Sequence, residues 1–244
     1  MNSNPKALLE HLSTLRLPYL LEHSQNLADC AARESWTHLD YLSRLIEGEA
    51  QRRHDGQITR RVAAARFPAP RTLEQFHWTW PKKINRAQVQ NLFRLAFLEN
   101  HGNVILMGTV GLGKTHLATA LGHAACLQNH PVLFTTAVEA INQLSAAQTT
   151  HRLKAELKKY LAPRVLILDE VGYLPIDKLG ADLLFQVISA RYEKGSTILT
   201  TNQPYKSWAK TFNNDATLAS AVLDRLLHHA ETIIIEGKSY RMKD

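Results

Sequence analysis

A parallel β-sheet covered by helices on both faces, preceded by a small helical domain, is the fold predicted here, and three observations carry it. From Gly102 onward, short apolar runs alternate with helix-length segments. Those runs are four to six residues long and almost continuously apolar, which marks strands buried on both faces. Upstream, residues 1–65 repeat apolar positions at helical spacing and contain no convincing strand. With 244 residues, 45% of them hydrophobic and 21% charged, the chain suffices for one large core and a small appendage. That composition excludes a disordered, collagenous or disulfide-scaffold protein.

In chain order, Leu8, Leu9, Leu12, Leu15 and Leu17 ahead of Pro18 predict one amphipathic helix, and Trp36, Leu39, Leu42, Leu45 and Ile46 predict a second. This segment, 1–65, is too poor in apolar surface for a large core of its own, so it reads as an oligomerisation or partner domain. Pro68, Pro70 and Pro81 interrupt any long helix, which makes 66–81 a connector carrying Phe67, Phe76, Trp78 and Trp80. A helix over about 84–99 then opens the second domain, 82–244. NVILMG, PVLFTT, RVLILDE and STILTTN read as four strands, separated by helices over 114–128, 137–161 and 178–193. A helix over 218–229 and a β-branched fifth strand at 232–235 follow.

The longest apolar stretches, such as 102–107 and 165–168, fall far short of the roughly 18 residues that span a bilayer. The amino terminus also lacks a basic-then-apolar signal, so a soluble, unexported, cytoplasmic protein without a membrane partner is expected. Cys30 and Cys126 stand 96 positions apart with no CxxC, so neither a disulfide framework nor a zinc site is expected. The net charge of +7 is unevenly placed. Residues 60–94 hold eight Lys and Arg against the single acid Glu74, and 152–164 hold Arg152, Lys154, Lys158, Lys159 and Arg164 against Glu156. Residues 165–244 are slightly acidic. Such concentrated positive charge faces a polyanion or forms a solvated basic linker.

Gly108-Thr109-Val110-Gly111-Leu112-Gly113-Lys114-Thr115 matches GxxxxGK[ST] between a predicted strand and a predicted helix. Glycines let backbone N–H groups approach an anion, and the helix amino terminus adds positive charge. Lys114 would reach the β- and γ-phosphates, and the Thr115 hydroxyl would join Mg²⁺ coordination. The run VLILDE delivers Asp169 to hold the Mg²⁺ shell and Glu170 to polarise the attacking water. Asn202, after STILTT, places an amide at the carboxyl edge of the sheet, where it could orient that water.

In their order, GTVGLGKTHLATALG, DEVGYLPIDKLGADLLFQVISARYEKGSTILTTNQP and VLDRLLHHA resemble the AAA+ ATPases of the initiator clade. Within that clade they are most similar to the IstB-type transposition helper ATPases and less so to DnaC-like helicase loaders. The resemblance covers essentially the whole chain. It implies a P-loop NTPase core without a full helical lid, with ATP and Mg²⁺ as cofactors. It implies nucleotide contacts from residues 108–115, His116 and a sensor-II-like Arg241, and a sensor I at Asn202. Arg225 would be an arginine finger reaching a neighbouring subunit. The basic run Arg152, Lys154, Lys158 and Lys159 would line a DNA channel of an ATP- and DNA-dependent homo-oligomer. The function expected is assembly on double-stranded target DNA and recruitment or activation of a cognate transposase. A helicase loader that binds single-stranded DNA, a small-molecule kinase and a nucleotide-binding protein without hydrolysis are the alternatives. The acid pair, the Arg225 expected to act in trans and the basic tracts disfavour the kinase, and Glu170 disfavours the last.

Overall fold

The computed structural model describes residues 5–240. They divide into two compact units, with the boundary between Arg60 and Arg61. The first unit is helical: α1 (Pro5–Thr14), α2 (Pro18–Glu34) and the greater part of α3 (His38–Ala64). Pro18 does not merely end a helix; it occupies the first turn of α2, where a missing N–H costs nothing. Leu12, Leu20 and Leu45 form a small core there. The buried Glu49 carboxylate accepts from the Tyr19 backbone N–H at 2.9 Å and from Arg53 at 3.0 Å, tying α3 to the start of α2. The expected apolar face of α3 is only partly used. Leu39, Leu42 and Ile46 stay 71%, 51% and 51% exposed, because three helices of this size enclose only one thin core layer.

The second unit is built on five parallel strands in the order β2, β3, β4, β1, β5. Their ranges are β1 Asn103–Gly108, β2 Val132–Thr136, β3 Val165–Val171, β4 Ser196–Thr201 and β5 Ala230–Ile235. Successive residues of the inner strands β1, β3 and β4 feed opposite cores, as a doubly covered sheet requires. Val104, Leu106, Val165, Ile167 and Ile198 face α5 (Lys114–Leu127) and α4 (Arg86–Leu92). Ile105, Leu166, Leu168 and Leu199 face α6 (Ala137–Thr149), α7 (Leu153–Leu161), α8 (Lys178–Arg191), the short α9 (Trp208–Thr211) and α10 (Ala216–Leu227). Phe67, Phe76 and Trp78, from the aromatic stretch ahead of Pro81, pack into the first of these cores.

Two helices expected as single rods are broken. The helix at 84–99 shrinks to α4, capped by Asn85 and stopped where Leu95 turns left-handed at φ 59°. The helix at 137–161 splits at His151, φ 55°, into α6 and α7, so the basic run begins a fresh helix. Cys30 and Cys126 are both free. Among the described residues no helix is long and apolar enough to cross a membrane.

Candidate nucleotide-binding site

The end of β1 turns into α5 through the glycine-rich loop. Gly111 and Gly113 adopt φ 75° and 84°, and Gly113 caps α5, so its first N–H groups point into the loop. At Gly108 a Cβ would stand 2.3 Å from the Ile235 carbonyl oxygen on the neighbouring strand, so only glycine fits there. Lys114 is 6% exposed, and its Nζ donates to the Thr109 carbonyl at 2.8 Å, which holds the ammonium inside the turn of the loop. A cavity of about 440 Å³ opens over this loop, lined by residues 110–116 together with Thr119, Glu170, Tyr173 and Thr200. Pro68, Arg71, Phe76, His77, Trp80 and Tyr240 form its other wall. The ring of His77 stacks on that of Tyr240 with centroids 5.5 Å apart, and Trp80 Nε1 donates to the Lys238 carbonyl at 2.9 Å. The Tyr240 N–H donates to the Gly111 carbonyl at 2.9 Å, so the segment after β5 lies against the loop. Half-buried His116, next in α5, bonds the Thr72 carbonyl through Nε2 at 2.8 Å, and burial pushes its pKa down.

The acid pair owes its placement to the strand order. Because β4 lies between β1 and β3, the end of β4 stands between the phosphate loop and Asp169. The Thr115 hydroxyl lies 3.0 Å from each Asp169 carboxylate oxygen, and the Thr200 hydroxyl donates to Oδ1 at 2.6 Å. Asp169 is 4% exposed, and burial raises its pKa against the opposing pull of these hydroxyls, the Lys114 charge and the Glu170 backbone N–H. Leu168 pairs with Leu199 but Val171 with Thr201, so β3 carries one extra residue there. That bulge turns Glu170 to φ 61°, where its N–H donates to Thr200 Oγ1 at 2.9 Å. One acid is thereby buried against Thr115 while the next projects, exposed, into the cavity. Thr200 was missed in the sequence; its position in a TT pair at the end of a strand gave no distinctive signal.

The remaining candidates are scattered. Asn202 lies just past β4, its Oδ1 buried without a partner among the described residues, and Thr200 in its place lines the cavity. Arg225 is half-buried, donates to Ser189 Oγ at 3.0 Å and to the Ala221 carbonyl at 2.9 Å, and lies outside this cavity. Arg241 lies outside the described residues. On α7, Lys154, Lys158 and Lys159 are exposed, as is Arg152 just ahead of it, and Lys159 is paired to Glu156. Arg164 leaves the basic run, because its guanidinium bonds the Leu98 carbonyl and the His101 ring.

The oxygen donors of Thr115 and Asp169, side by side beneath a glycine cradle, fit a hard divalent cation and a polyphosphate. Strand order, loop and acid pair together define the fold of a P-loop NTPase. Residues 10–244 match the family model for the IstB-like ATP binding proteins, and the chain belongs to that family. It is 42% identical over 233 residues to the insertion sequence IS21 putative ATP-binding protein of Pseudomonas aeruginosa, covering 96% of this chain and 88% of that one. To the IS232 counterpart of Bacillus thuringiensis subsp. berliner it is 38% identical over 244 residues, covering 100% and 97%. Among solved structures it is similar to DnaI (TM-score 0.59, 20% identity, covering 74% of this chain and 98% of that one). It is also similar to the DnaC helicase loader (TM-score 0.57, 24% identity, covering 68% and 96%). At these identities the two structures establish the fold.

Proposed function

We propose that this protein is an ATP-hydrolysing, DNA-binding regulator that assembles on duplex target DNA and recruits or activates a transposase. The observation that carries the reading is the division of labour at the β3 bulge: a buried Asp169 bonded to Thr115, and an exposed Glu170 facing the same cavity. The relatives' names, ATP-binding proteins of insertion sequences, support both the nucleotide and the genetic setting. Backbone N–H groups of 111–115 bind the phosphates, and Lys114 exchanges the Thr109 carbonyl for a phosphate oxygen. When bound, Mg²⁺ would be held by Thr115 and Asp169 and would neutralise charge on the phosphates. Glu170 accepts a proton from the attacking water, and Arg225 stabilises the transferring phosphoryl group of an adjacent subunit in a homo-oligomer. Arg152, Lys154, Lys158 and Lys159 contact DNA phosphates. A single-strand-binding loader is less well supported, since Tyr160, the one aromatic of the basic segment, is 2% exposed and cannot stack on a base.

Two variants test the site. Lys114→Ala is expected to lose nucleotide affinity, whereas Glu170→Gln is expected to bind ATP and hold it unhydrolysed, measured by nucleotide titration and phosphate release. Wild-type hydrolysis by Glu170→Gln would overturn the assignment.

A further inference from the structure

At the amino-terminal edge of the sheet, opposite the phosphate loop, α8 and α10 end side by side. Glu193 sits in the turn between α8 and β4, and His228 and His229 join α10 to β5. One ligand atom from each of these three side chains lies within 4.8 Å of the other two. We propose that Glu193, His228 and His229 bind a transition-metal dication of the zinc class and so tie the end of α8 to the end of α10.

Two imidazoles and a carboxylate are a donor set that Zn²⁺ takes in preference to Mg²⁺ or Ca²⁺, which seek oxygen ligands. Three protein ligands leave a fourth position for water. The backbone beneath them is fixed. The His229 carbonyl accepts from the Asn103 N–H at 2.7 Å, and the N–H groups of Lys194 and Gly195 donate to the Arg191 carbonyl at 2.9 and 3.1 Å. Glu193 itself is held left-handed at φ 56°. His228 Nδ1 already lies 4.0 Å from Glu193 Oε1, and the rings of His228 and His229 are 4.1 Å apart. All three side chains are exposed, so rotation about their χ angles suffices to draw the donors to the spacing of about 3.3 Å that metal bonds of 2.0–2.1 Å impose. The Tyr192 hydroxyl, 2.8 Å from His228 Nδ1, gives up that contact when the nitrogen binds metal and is then placed to bond a metal-held water.

The local field favours a cation. His228 caps α10 and Tyr192 caps α8, so two helix carboxyl ends direct their carbonyl dipoles at this corner. The cations nearby are engaged elsewhere or directed to solvent. The Arg191 guanidinium donates to the carbonyls of Tyr160, Pro163, Arg164 and Ser196, that of Arg225 to Ser189 and Ala221, and Lys194 is exposed. The cysteine spacing hid this site, because its ligands are histidines met by an acid 35 positions upstream.

Calorimetric titration of untagged, chelator-treated protein with ZnCl₂ tests the proposal, with Co²⁺ absorption as a second readout. One Zn²⁺ per chain and a rise in unfolding temperature are expected for the wild type. The His228→Ala/His229→Ala variant is expected to lose both, and Glu193→Gln to bind at least tenfold more weakly. These exposed substitutions should leave the metal-free unfolding temperature unchanged, and His38→Ala, exposed in the helical unit, should bind as the wild type does. No saturable binding, or equal stoichiometry and affinity in the double variant, would overturn it.

Discussion

Thr200 decides the geometry of two acids at once. Its hydroxyl donates to Asp169 and accepts from the Glu170 N–H, so removing it leaves the carboxylate less well held and the bulge without its pin. Thr200→Val keeps the shape and deletes both bonds. It is expected to lower stability by about 1–3 kcal/mol, because a buried partner is left unsatisfied. Urea unfolding would read that loss, and ATP hydrolysis should fall with it, while Thr200→Ser should recover both. Wild-type stability and rate in the valine variant would remove Thr200 from the site. The sequence made Lys114, Thr115, Asp169 and Glu170 legible because each stands at a fixed place in a motif. Thr200 was not legible, since its role comes from strand order, and one threonine of a TT pair closing a strand carries no such mark.

Among the elements, β3 holds the acid pair and α7 holds most of the basic run. Periodicity located all five strands, but neither the bulge in β3 nor the break at His151 could be read from it, because both are single-residue changes of backbone region. A different limit hid α2, whose apolar positions are sparse: only Leu20 is buried in it. On α7, Lys154 and Lys158 are four residues apart and share one face, whereas Lys159 is already paired with Glu156. Reversing Lys154 and Lys158 to Glu is expected to weaken binding to all duplex sequences about equally. The slope of log affinity against log salt should flatten by about 0.9 for each DNA phosphate that is no longer neutralised. Filter binding across a salt series reads the slope. Weakening confined to certain sequences would mean that these lysines read bases.

At the scale of the whole molecule, the proposed active site is shared between two chains. Within its own chain Arg225 lies away from the nucleotide cavity and is occupied by Ser189 and Ala221, so its catalytic use requires a neighbour. An arginine supplied in trans is worth roughly 10³–10⁵ in rate in related phosphoryl transfers. Arg225→Ala is therefore expected to bind ATP and hardly hydrolyse it. Mixing it with Lys114→Ala should restore part of the activity, as phosphate release would show. No rescue in mixtures shown to co-assemble would place Arg225 outside the reaction. The central claim, that nucleotide drives assembly on duplex DNA, is tested most directly by the mass of complexes formed on labelled DNA. Glu170→Gln protein with ATP and Mg²⁺ should form multi-subunit bodies on duplex DNA, fewer on a single strand of equal length, and none with Lys114→Ala. Assembly that ignores nucleotide, or that prefers the single strand, would contradict it.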